Sequence, residues 1–202
     1  STHIMSFNIL KGLKDNKFHT ILVAICIEND DFFKVQKYYK NVVDQIICVK
    51  SRLGENCGKY KHLIKMLKYQ FFSSIYRNDV PQNLIVDDFT LIISHSPSIE
   101  AIWLSNEIRK KYKIKKYFQY WSDPIAISGI YPENLNYKRK IFKFIEKKAL
   151  KAADKVIYGT KILMQAQKKV YPKYKSKMYY IDISYIERNY DRESYLNDSY
   201  IY

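Results

Sequence analysis

Two short stretches carry side chains whose types and spacing suit chemistry. They are His95-Ser96-Pro97-Ser98-Ile99-Glu100 and Trp121-Ser122-Asp123-Pro124. In the first, Pro97 fits the opening position of a helix and Ser96 its N-cap. Free backbone N–H groups would then point at whatever lies in front of them. His95 would stand at the lip, able to donate to a hydroxyl or a phosphate. The alternative is that Ser96 and Pro97 only start a helix and that His95 is a satisfied loop histidine. In the second, Asp123 is held by the following proline and suits binding of a hydroxyl, or else it is a turn or N-cap residue. Trp121 offers a flat face to a ring or serves as core. Ser128-Gly129 follows, where glycine permits close backbone approach.

Both stretches gain meaning from the elements that position them. Residues 20–27 (TILVAICI), 45–49 (QIICV), 89–94 (FTLIIS), 116–121 (KYFQYW), 155–158 (KVIY) and 177–183 read as six short strands, rich in β-branched and aromatic residues. Helices are expected between them. One covers residues 32–41, capped by Asp30 or Asp31. A second carries the stripe Tyr60, Leu63, Ile64, Leu67, Phe71 and Ile75. Others cover residues 98–112, the stripe Ile141, Phe144, Ile145, Ala149 and Ala152, and residues 161–170. This alternation predicts an α/β, Rossmann-like fold with a mainly parallel sheet and helices on both faces. Ligands of such sheets bind beyond the carboxyl ends of the strands, where the His95 and Asp123 stretches fall.

Composition sets the limits. Of 35 basic residues only six are arginine, and the net charge is +15. The charge suits nucleic acid, anionic lipid or a phosphorylated ligand, but AT-rich codons for Lys, Tyr, Ile and Asn explain it equally well. Scarce arginine argues against nucleic-acid recognition. The segment Arg109-Lys110-Lys111 to Lys115-Lys116 reads as a solvated helix end, with a membrane-surface contact as the alternative. Cys26 and Cys48 lie in apolar runs and Cys57 has no CxxC partner, which suits a reduced, cytoplasmic setting. The longest apolar run, residues 21–27, is far below the roughly 20 residues that span a bilayer. No GxGxxG, P-loop or GxSxG pattern occurs. The histidines are too scattered for a metal cluster.

About half of the chain, from Phe89 to about Ile183, resembles the N-terminal domain of glycosyltransferase family 4, which has the GT-B fold. The likeness rests on FTLIISHSPSIEA (residues 89–101), YWSDP (residues 120–124) and EKKALKAADKVIYGT (residues 146–160). The last is the most specific: a Glu-led helix, Ala-Asp, then a strand ending in a small polar residue. The resemblance implies transfer of a sugar from a nucleotide-sugar donor with retention of configuration. It implies no cofactor and no obligatory metal. Asp123 takes the catalytic polar position, while His95, Ser96, Trp121, Ser122, Ser128 and Gly129 bind substrate. The acceptor is a sugar, a lipid-linked sugar or a protein.

The sequence departs from the family at two points. Ser122 stands where His is frequent, and Glu28-Asn29-Asp30-Asp31 replaces a Gly-rich turn, with carboxylates that repel a diphosphate. Residues 1–5 read as an expression remnant, 6–186 as the acceptor-binding domain, and 187–202 as a tail or the start of an interdomain connection. The donor-binding half is expected elsewhere, so these 202 residues alone are expected to be inactive. The expected location is cytoplasmic, with peripheral contact at the inner face of the membrane. The competing readings are a non-catalytic module assisting a partner transferase and, behind it, a basic nucleic-acid-binding protein.

Overall fold

The computed structural model describes residues 2–53, 64–65, 73–96, 98–123 and 136–181. Within them lie helices α1 (Thr2–Asp15), α2 (Asn29–Tyr39), α3 (Ile99–Tyr112), α4 (Asn136–Ala152) and α5 (Lys161–Val170). The strands are β1 (Ile21–Cys26), β2 (Gln45–Lys50), β3 (Leu91–Ser96), β4 (Lys116–Trp121), β5 (Lys155–Tyr158) and β6 (Met178–Tyr180). Ser73–Asp79 and Pro172–Lys177 are 3₁₀ turns.

All ladders are parallel, but they form two sheets: β1-β2, and β3-β4-β5-β6. The α/β, parallel expectation holds. The sheets are joined by side chains. Val23, Ile25, Val49 and Ile92 share one core with Trp103, Leu104 and Ile108 of α3. On the other face of the first sheet, Leu22 and Ile46 pack with Phe7 and Leu10 of α1 and Tyr39 of α2. A third cluster joins Trp121, Val156, Tyr158 and Met178 of the larger sheet to Ala149 and Leu150 of α4 and to Tyr171 and Tyr174.

Four boundaries differ from expectation. Helix α1 takes in residues 2–15, including most of the stretch read as a remnant; its stripe is weak, and Phe7 and Leu10 become informative only when packed. Strand β3 begins two residues later than expected, because a hydrogen-bonded turn over Asp87–Thr90 holds Phe89 in solvent. The cap of α2 is Glu28; Asp31 sits at its third position and accepts from the N–H groups of Ile27 and Glu28 at 2.9 and 3.1 Å. The sixth strand is confined to Met178–Tyr180. Most of the expected helix over residues 60–75 lies outside the described residues, although 64–65 are helical.

Residues 146–160 explain much of this packing. Glu146 is fully buried in α4, accepting from Nε2 of Gln167 in α5 at 3.0 Å and from the Tyr171 hydroxyl at 2.5 Å. Asp154 accepts the N–H of Tyr117 at 2.8 Å, returns its own N–H to the Tyr117 carbonyl at 2.8 Å, and pairs with Arg109 at 3.0 Å. Arg109 also donates to the carbonyls of Ile114, Lys115 and Ala152, closing the end of α3. Thr160 caps α5 by accepting from the N–H of Leu163.

Candidate functional site

The first candidate residue lies inside a strand rather than in a loop. His95 is the fifth residue of β3 and stands in register with Tyr120 of β4. Parallel neighbours in register project to the same face. The two rings accordingly meet edge to face, 5.2 Å between centroids. Nδ1 of His95 shares a hydrogen bond with Oγ of Ser6 at 2.6 Å, so α1 fixes the imidazole plane. His95 is half-buried.

Ser96 is the last residue of β3, and the N-cap of α3 is Ser98, whose hydroxyl accepts from the N–H of Ala101 at 3.2 Å. The expectation of Ser96 as the cap is therefore corrected: the strand runs two residues longer and pushes the helix start forward. Pro97 lies outside the described residues, as do Pro124, Ser128 and Gly129.

Beyond β4, Ser122 is half-buried and Asp123 is exposed. Asp123 influences Tyr120: burial raises the phenol above its ordinary range, and the Asp123 charge raises it further. His95, Tyr120 and Asp123 thus converge where β3 and β4 end. Tyr120 was not singled out from the sequence. Its signal was the two-residue alternation of KYFQYW, which becomes readable only once the β3–β4 register is known. Trp121 points the other way. It is fully buried, and its indole N–H donates to Oε1 of Gln119 at 2.9 Å. Trp121 is core, and its ring is closed to a ligand.

A second polar constellation sits at the end of β2. Oε1 of Glu100, in the first turn of α3, accepts from the N–H groups of Arg52 and Leu53 at 2.8 and 2.9 Å, and Oε2 accepts from the Ser51 hydroxyl at 2.8 Å. The Tyr76 hydroxyl also donates to Glu100. Arg52 forks onto Asp79, with contacts of 2.6 to 2.9 Å. The chain's own carboxylate therefore fills the nest of N–H groups after β2. Likewise, Glu28 and Asp31 occupy donors at the start of α2 through their capping box. Hydrogen bonds from Glu28 and then Ile27 hold the Asp31 carboxyl below its usual range. In the first sheet Cys26 and Cys48 are free thiols, and burial pushes Cys26 up to about 12.

A hollow of about 640 Å³ lies elsewhere. Leu84, Asp87, Asp88, Lys111, Lys113 and Lys115 are among the residues that line it, at the edge where β3 and β4 begin. Ligand sites in parallel sheets belong at the opposite edge. We place the candidate site there, because it is also where His95 and Asp123 flank Tyr120. No helix of the described residues is long and apolar enough to cross a membrane. No protein-family model matches the chain, and no curated protein matches it at a significant level.

Proposed function

We propose that the chain is the acceptor-binding domain of a retaining glycosyltransferase, similar to family 4, that takes its sugar from a nucleotide-sugar donor held by a second domain. The observation that carries the reading is the convergence of His95, Tyr120 and Asp123 at the carboxyl ends of β3 and β4. Asp123 accepts a hydrogen bond from an acceptor hydroxyl, and His95 donates to the sugar or to a phosphate oxygen. Ser6 supports this role by fixing the imidazole. Tyr120 forms the floor between them. Ser122 lies beside Asp123 on the rim; Ser96, Ser128 and Gly129 are proposed to bind substrate with it.

The test is transfer by the protein together with its donor-binding half. Asp123→Ala and His95→Ala are each expected to lower kcat/KM by roughly 100-fold, the usual scale for a positioned polar group. The 202 residues alone are expected to bind acceptor without turning over donor. Transfer by those residues alone would overturn the assignment.

A second reading, a non-catalytic module that assists a partner transferase, has one specific observation in its favour. The donors at the start of α2 are already taken by Glu28 and Asp31. Unchanged transfer by Asp123→Ala would select that reading.

A further inference from the structure

We propose that the edge at which β3 and β4 begin docks onto an anionic membrane surface. The two strands run parallel, so the segments that enter them share one edge of the sheet. Two large apolar side chains stand out there with nothing packed over them: Ile85 is 80 % exposed and Phe89 is 85 % exposed. Their presentation is built into the backbone. The N–H of Phe89 donates to Oδ1 of Asp87 at 3.0 Å, and the Thr90 hydroxyl donates to the same oxygen at 2.8 Å. The Tyr112 hydroxyl donates to the carbonyl of Pro81 at 2.6 Å and accepts from the N–H of Leu84, tying the loop to α3. The loop is therefore held in place without burying Ile85 or Phe89.

Cationic groups surround them. Lys113, Lys115 and Lys116 are exposed just ahead of β4. The acids nearby are already engaged: Asp88 pairs with Lys115 at 2.9 Å, and Asp154 pairs with Arg109. Asp87 is held below the ordinary carboxyl range by the Thr90 hydroxyl. Among the described residues, Lys113 and Lys116 make no ion pair.

The shape of the edge selects its partner. The apolar groups protrude, and the hollow beside them is lined largely by charged side chains, which does not suit an apolar protein segment. Protruding side chains can sink into a deformable interface while lysines meet anionic headgroups. Lysine, a point charge, suits diffuse attraction better than bidentate reading of bases. The six residues of each strand set His95 and Asp123 about 20 Å along the strands from this edge. That distance fits a soluble or extended acceptor better than one at the headgroup level.

The experiment uses the full chain with vesicles of phosphatidylcholine alone, or of phosphatidylcholine and phosphatidylglycerol in equal parts. Phe89→Trp serves as the reporter, since Trp103 and Trp121 are buried and give a constant background. Cosedimentation with the anionic vesicles only, released by salt and accompanied by a blue shift of the new tryptophan, is the expected result. Lys113→Gln with Lys116→Gln should weaken binding by roughly tenfold or more, as should Ile85→Ala with Phe89→Ala. Circular dichroism checks that each variant is folded. Equal binding to both vesicle types, an unmoved tryptophan spectrum on the bound chain, or unchanged binding by either double variant overturns the proposal. So does release of the bound chain by duplex DNA together with indifference to Phe89→Ala.

Discussion

Glu146 and Asp123 are both acids, and they differ in almost every physical respect. Glu146 is sealed between α4, α5 and Tyr171, with its two described donors at 2.5 and 3.0 Å. Asp123 stands exposed where β4 has just ended. Residues 146–160 therefore bear on how the chain folds: Glu146, Asp154 and the Thr160 hydroxyl are spent on neighbouring backbone and side chains. Side chains beyond the ends of the ladders are not claimed by the sheet in this way.

Substitutions can break this contrast. Glu146→Ala should have the largest effect on folding. It leaves the Gln167 amide and the Tyr171 hydroxyl buried without their acceptor, at a cost of about 3 kcal/mol. Urea denaturation followed by circular dichroism measures it, and a loss below about 1 kcal/mol would refute the scaffold role. Glu100→Gln should fall between the two extremes. The N–H groups of Arg52 and Leu53 keep an oxygen to bind, and water reaches this rim, so about 1 kcal/mol is expected from the same measurement.

Asp123→Asn should change stability least, by under about 0.5 kcal/mol. It should nevertheless lower the pKa of Tyr120, because the Asp123 charge raises it beyond the effect of burial. A raised phenol contributes stability that is present below the unfolded value of about 10 and is lost as pH rises through the folded value. The variant should therefore lose less stability between neutral pH and the alkaline side of that range than the parent chain. An identical alkaline profile would separate Asp123 from Tyr120 and dissolve the proposed cluster.

The comparison also separates what was readable in one dimension. Strands β4 and β5 and helix α5 fall where their apolar runs and caps place them, since KYFQYW, KVIY and Thr160 carry local signals. Helix α1 escaped because its apolar residues form a face only against Tyr39 and Ile46. The start of β3 escaped because Phe89, strand-forming by type, is captured by the Asp87–Thr90 turn.

By itself, the sequence determined the alternation of strands and helices and the two junctions that follow β3 and β4, because strand periodicity and turn chemistry are local. Only the tertiary structure decided which side chains stand at those junctions. The parallel register of β3 and β4 turns His95 and Tyr120 to one face and sends Trp121 to the other. The tertiary structure also sets Glu100, in the first turn of α3, onto the backbone N–H groups after β2, nearly fifty positions away. Register and long-range capping join segments remote in sequence, and no local pattern of residues records them.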